Sequence, residues 1–245
     1  MPTILSIETS TKACSAAIHH DGKLLSASEL YNEKSSSGML TTLIEHVVKT
    51  ASLTLQDIDS IAVAKGPGSY TGLRIGVSTA KGLCFTLEKP LIAINTLEAM
   101  AFLMFDVGCW MLGKKNNSTS SINHQPLLAP MLDARRMEVY CAVYKADTLE
   151  VIEPTQAKII DETSFADLLE NHQIIFFGDG AEKCRATLGG NLNAVFLNHT
   201  IFPSAKSIGA LAVHAFEQQQ FENVADFEPF YLKEFVGTTP KKTSL

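Results

Sequence analysis

The sequence predicts an α/β protein made of two copies of one βββαβα unit. Two observations carry that prediction. Three short apolar runs separated by polar turns open the chain, and the same arrangement returns in its second half. Each triplet is then followed by an amphipathic helix, a β-branched strand and a further helix. An ungapped offset of 125 residues superposes Glu8 on Asp133, Ile7 on Leu132, Ser15 on Tyr140, Ala17 on Ala142, Ile18 on Val143 and Leu24 on Leu149.

In the first copy, residues 4–7 and 14–18 read as strands joined by the polar segment 8–12. Asp21-Gly22 is a tight-turn signal, and residues 24–30 resume the extended pattern. Leu40, Leu43, Ile44, Val47, Val48 and Ala51 recur at helical spacing and form one apolar stripe. Residues 61–64 form a strand, 70–87 a helix and 91–94 a strand. A helix then starts at Asn95-Thr96-Leu97-Glu98, with its acid in the first turn.

The second copy runs through strands at 127–132, 139–144 and 149–152, and a helix opening at Thr163 or Ser164. A strand at 174–177, the turn Gly178-Asp179-Gly180 and a helix at 181–188 follow. The last helix begins near Ser204, with Ile208, Leu211, Ala212, Ala215 and Phe216 on one face. The expected division is a first lobe at 1–112, a polar aperiodic connection at 113–126, a second lobe at 127–236 and a frayed tail at 237–245.

Composition narrows the function. Of 245 residues, 46% are hydrophobic and 19% charged, which is the balance of a folded globular chain. With 20 Lys+Arg against 26 Asp+Glu the formal charge is −6, which argues against a free-standing nucleic-acid binder. The five cysteines form no C-x-x-C pair, so free thiols in a reducing compartment are expected. The first residues carry no basic region, and Glu8 interrupts the first apolar stretch, so a soluble cytoplasmic location without a membrane partner is expected.

Three groups of residues are candidates for function. The segment Lys65-Gly66-Pro67-Gly68-Ser69-Tyr70-Thr71-Gly72-Leu73-Arg74-Ile75-Gly76 joins a strand to a helix, where backbone amides attract anions. It matches neither nucleotide fingerprint: Thr71 stands where a Rossmann loop has glycine, and Gly-Lys-Ser/Thr is absent. In the helix after it, Gly72, Gly76 and Ala80 share a face. Two glycines inside a helix cost about 1 kcal/mol each, so close backbone packing is expected, either within the lobe or at a subunit interface. Finally, Glu8 with Thr9 and Ser10, and Asp133 with Gly178 and Gly180, stand at matching turns that could hold a Mg-nucleotide or merely cap the turns. The seven histidines include no H-E-x-x-H or H-x-x-x-H pair, and no Gly-x-Ser-x-Gly elbow occurs, so no catalytic residue or metal ligand is expected.

The opening Ile4-Leu5-Ser6-Ile7-Glu8-Thr9-Ser10, the segment 66–76, Asp133-Ala134-Arg135-Arg136-Met137-Glu138-Val139-Tyr140 and the ending Glu228-Pro229-Phe230-Tyr231-Leu232 resemble the TsaB family. This family of tRNA threonylcarbamoyladenosine biosynthesis proteins was once called YeaZ and filed with glycoproteases. The resemblance implies a duplicated actin-like (ASKHA, ribonuclease H-like) fold and a role in making N6-threonylcarbamoyladenosine beside the anticodon. It implies a non-catalytic subunit that forms a heterodimer with the TsaD paralogue, which performs the transfer with a metal held by an H-x-x-x-H pair. It also implies docking of the TsaE ATPase. No cofactor is expected for this chain, Mg-ATP being used by its partners, and tRNA is expected to be reached indirectly through the complex. A homodimer when alone is left open.

The family's interface helices correspond to residues 37–51 and 71–85. The implied interface residues are Leu40, Leu43, Ile44, Val47, Thr71, Gly72, Ile75, Gly76, Thr79 and Ala80, and Gly76→Leu is expected to weaken association while leaving the lobe folded. Three positions depart from the family pattern: Glu8 replaces an Asp, Ser36 a His, and Met137 a turn glycine. The last predicts either a strained residue or a rearranged turn. An actin-like ATP-dependent kinase or ATPase is the alternative reading, and a glycoprotease-type metallopeptidase the third.

Overall fold

A computed structural model describes residues 2–31, 36–106 and 125–233. Most of the expected connection and all of the expected tail lie outside the described residues, as do the side chain of Ser36 and Cys109. Two five-stranded mixed sheets form the frame. The first has the order β3-β2-β1-β4-β5, from β1 (Thr3–Glu8), β2 (Ala13–His20), β3 (Lys23–Tyr31), β4 (Ser60–Gly66) and β5 (Leu91–Asn95). The second has the order β10-β9-β6-β7-β8, from β6 (Leu127–Asp133), β7 (Glu138–Lys145), β8 (Val151–Ile159), β9 (Ile174–Phe177) and β10 (Ala194–Phe196). In each sheet a three-stranded antiparallel meander adjoins two further strands that pair in parallel, so the second order repeats the first and the duplicated α/β fold is realised.

Local chemistry accounts for the elements. Asp21 and Gly22 both take positive φ, at 51° and 72°, which gives the two-residue hairpin turn. Helix α1 (Ser36–Thr50) buries Leu40, Leu43, Ile44, Val47 and Val48 against Leu5, Ile7, Ala16 and Ile18. Helix α2 (Tyr70–Leu87) starts at Ser69, whose Oγ accepts from the Gly72 N–H at 3.3 Å, and packs on the same sheet face. The second lobe repeats the layer with α4 (Ala166–Asn171) and α5 (Ala181–Leu188). Thr163 and Ser164 do not open α4: both bond the Asp161 carboxylate, forming a turn before it. The residue pattern does not predict strand β10, because three half-buried residues are too short a run to show a period.

The third helix of each copy crosses over. Helix α3 (Thr96–Asp106) lays Leu97, Met100, Ala101 and Met104 on the second sheet, against Leu128, Leu132, Tyr144 and Phe177. Helix α6 (Ala205–Glu217) lays Ile208, Ala212 and Ala215 on the first sheet, against Ile4, Ala62, Ile92 and Ile94. Gly209 is required there, since a Cβ would collide with the His19 ring. The chain then stays on the first lobe. Glu222 bridges Leu91, Lys81 Nζ donates to the carbonyls of Ala225 and Phe227 at 3.1 and 2.9 Å, and the Phe230 N–H donates to the Lys65 carbonyl at 2.7 Å. The strands of the first sheet thus end at Asn95 and those of the second begin at Leu127, while α3 and α6 each pack on the sheet of the other copy.

The register corrects the 125-residue offset. Ile7 pairs with Ala16 and Met131 with Cys141, so the second strands correspond at 125 (141 − 16) but the first strands at 124 (131 − 7). Core membership agrees, since Ile7 and Met131 both face the outer helices. A one-residue slip turns a side chain to the other face. The counterpart of Glu8 is therefore Leu132, and Asp133 matches Thr9.

Candidate functional site

Glu8 ends β1 on the face that carries α6, and none of its surface is exposed. Its Oε1 accepts from the Ser10 N–H, and its Oε2 meets no partner among the described residues. Burial pushes the carboxyl up from 4.5 to about 7. The next two residues lie against α2: Thr9 Oγ1 donates to the Gly72 carbonyl at 2.7 Å, and the Ser69 N–H donates to the Ser10 carbonyl at 2.6 Å. The glycine pattern is explained here. A Cβ on Gly68 would strike the Ser10 carbonyl, one on Gly72 the Thr9 carbonyl, and one on Gly76 the Thr9 hydroxyl. Two amides at this helix start are turned onto the chain's own oxygens, that of Ser69 onto the Ser10 carbonyl and that of Gly72 onto the Ser69 hydroxyl.

This geometry corrects the interface expected on that face. Gly72, Gly76 and Ala80 point into their own lobe, and Leu40, Leu43, Ile44 and Val47 lie in its core, none more than 8% exposed. Close packing selected the glycines, as in the intralobe alternative, and Gly76→Leu would disrupt the lobe itself. Of the ten residues, Thr71 is exposed and Ile75 and Thr79 are half-buried. The outward face of α2 also presents Arg74, Ser78 and Phe85, the last 83% exposed. Phe85 is the signal that sequence reading passed over, an aromatic on the polar side of an amphipathic helix.

The second turn is built differently. Asp133 Oδ1 accepts from Lys183 Nζ and from the Arg135 N–H, and the Asp133 N–H donates to Asp179 Oδ1 at 3.0 Å. Burial raises the Asp179 carboxyl above its ordinary value, and nearby Lys12 partly offsets this. Lys183 Nζ also donates to the carbonyls of Arg136 and Glu138, at 2.7 and 2.6 Å. Gly178, at φ 106°, and Gly180 are needed for packing: Cβ atoms there would collide with the Met131 carbonyl and the Leu132 backbone. Met137 does not take a positive φ; Arg135 and Arg136 do, at 70° and 51°. The extra residue in this hairpin is absorbed one step earlier than the replaced glycine suggested.

The nucleotide candidates are thus divided. Thr9 and Ser10 meet the 68–76 segment, the Asp133 backbone meets Asp179 and Gly180, and the buried Glu8 carboxylate meets only the Ser10 amide among the described residues. Two motifs that are distant in sequence do meet: the Tyr231 ring lies 4.8 Å from that of Tyr70, and a Cβ on Gly66 would come within 2.8 Å of the Phe230 carbonyl. Beside this contact are two hollows of about 390 and 350 Å³ that share Lys65 and Glu222. Glu98, Glu222, Asp226 and Glu228 face them against Lys65 and His214, a balance unsuited to phosphate. Among the described residues, no three His, Cys, Asp or Glu side chains group as metal ligands, and no helix is long and apolar enough to cross a membrane.

Comparison with known proteins agrees with this fold. The profile of the family "TsaD: tRNA N6-adenosine threonylcarbamoyltransferase" matches residues 31–237. The Escherichia coli tRNA threonylcarbamoyladenosine biosynthesis protein TsaB is 30% identical over 238 residues, covering 96% of each chain. Its Bacillus subtilis namesake is 31% identical over 183 residues, covering 72% of this chain and 70% of that one. The structure of YeaZ from Pseudomonas aeruginosa superposes with a TM-score of 0.77 at 24% identity, covering 95% of this chain and all of that one.

Proposed function

The chain belongs to the TsaB family of tRNA threonylcarbamoyladenosine biosynthesis proteins, and from that premise we propose that it is a non-catalytic subunit of the threonylcarbamoyl-transfer complex. The observation that carries this reading is the closed first turn: a fully buried Glu8, and a helix start whose Ser69 amide is already taken by the Ser10 carbonyl. The absence of an H-x-x-x-H pair from the sequence supports it. Transfer is then the work of a TsaD paralogue, Mg-ATP is used by the partners, and the TsaE ATPase docks on the assembled pair. A cytoplasmic location follows from the tRNA substrate.

The docking face for the TsaD paralogue is the outward side of α1 and α2, centred on Phe85, Ile75, Thr79 and Thr71. A fully presented aromatic ring beside small polar residues is the usual make-up of an interface anchor. Transfer to tRNA by the purified chain, by the TsaD paralogue with TsaE, and by all three together tests the reading. Activity is expected only in the full mixture, and robust transfer by the chain alone would overturn it. Calorimetry with Mg-ATP tests the kinase alternative, which requires micromolar binding that Asp133→Ala abolishes. Phe85→Ser is expected to weaken the heterodimer at least tenfold in light-scattering titrations without changing the melting temperature.

A further inference from the structure

We propose that the Arg135–Arg136 turn is a direct contact for tRNA phosphates, an interaction surface that rests on the tRNA-modification reading and goes beyond it. Two consecutive residues with a Cβ both adopt left-handed backbone, at φ 70° and 51°, in a turn where Asn-Gly would be unstrained. The turn is held in that shape from beneath. Lys183 Nζ donates to the Asp133 carboxylate and to the carbonyls of Arg136 and Glu138, while Lys233 Nζ pairs with the Glu138 carboxylate.

These bonds have an electrostatic consequence. Asp133 and Glu138, the acids nearest the arginines in sequence, are each engaged by a lysine, and Asp179 accepts from the Asp133 backbone and feels the charge of Lys12. Both arginine side chains are exposed, and neither has a hydrogen-bond or ion-pair partner among the described residues. In a chain of formal charge −6, a strained turn therefore presents two adjacent unpaired guanidiniums, backed by lysines from two other elements. Guanidinium forks match phosphate oxygens in bidentate fashion, and neighbouring forks suit a ligand with repeated phosphates better than an isolated carboxylate. Two such contacts are compatible with a partner supplying most of the grip on tRNA.

The test replaces the pair by R135N and R136G together, which suits the left-handed backbone and removes both guanidinium side chains, so the melting temperature is expected to stay level or rise. Binding of an in vitro tRNA transcript is measured by fluorescence anisotropy across a salt series, for the chain alone and for its mixture with the TsaD paralogue. A double variant distant from the turn, Lys23→Ala with Lys89→Ala, controls for net charge. The expected result is affinity about tenfold weaker at low salt and a log-affinity against log-salt slope shallower by about 1.5, both relative to the control. Affinity and slope equal to the control's overturn the proposal. So does loss of association with the TsaD paralogue while tRNA binding by the chain alone is unchanged, which would assign the turn to an acidic protein surface. The chain-alone arm reads the contact and the transfer activity of the mixture reads the subunit role, so the two readings fail separately.

Discussion

Where the first copy of the repeat has Glu8, buried and pushed toward neutrality, the second has Leu132, also buried. The acid of the second turn stands one residue later, its side chain 50% exposed and paired with Lys183. One residue of hairpin length separates the two outcomes. In the first turn it lets Thr9 and Ser10 fold down onto α2 and close the space. In the second it leaves a raised turn held by Lys183 of α5 and by Lys233. Similar sequence at matching positions thus yields a closed structural joint in one lobe and an open charged surface in the other, because a strand position is defined by the face it presents.

The largest effect expected from breaking this contrast comes from the closed side. Gly76→Leu should cost about 3 kcal/mol or more, since the side chain must enter space held by Thr9, and chemical denaturation should show the loss directly. A folded variant of unchanged stability would contradict the packing described.

The next effect is a pH dependence. Because the Glu8 carboxyl sits near 7 when folded against 4.5 when free, the folded state holds a proton that the unfolded chain releases, and stability falls as pH rises between those values. Glu8→Gln removes that fall. The variant-minus-parent difference in unfolding free energy should grow by about 3 kcal/mol between pH 4 and pH 8, then stay level. His19 works in the opposite sense: burial lowers it from 6.5 to about 4, so its contribution is fully present above 6.5 and is lost as pH falls through 4. In the parent the two slopes oppose one another between about 4.5 and 6.5, and Glu8→Gln should uncover a stability that rises with pH there. A difference curve without slope would mean that Glu8 is hydrated.

Effects on the open side are smaller. Lys183→Ala should cost about 1–2 kcal/mol, through bonds to two backbone carbonyls and one partly exposed carboxylate. Asp133→Asn, which weakens only the exposed ion pair, should cost about 0.5 kcal/mol and show a correspondingly small shift in melting temperature. A larger loss for Asp133→Asn than for Lys183→Ala would reverse the account of which group holds the turn.

The repeated α/β unit and the positions of most strands and helices are legible in the residue pattern, because alternation and 3.6-residue periodicity are local consequences of which face is buried. The family is legible too, since Gly66-Pro67-Gly68-Ser69 and the Asp133 segment are read directly. The sequence showed that Gly72 and Gly76 needed a close neighbour but not which one, because a glycine records contact distance and not the identity of the atom in contact. That the neighbour is Thr9, that Glu8 matches Leu132, that α3 and α6 exchange sheets, and that Arg135 and Arg136 carry the strain of the second turn emerges from the packed fold. Each depends on the register between strands or on contacts between residues far apart in the chain, and those are set by the packing of whole elements, which no local pattern of residue types encodes.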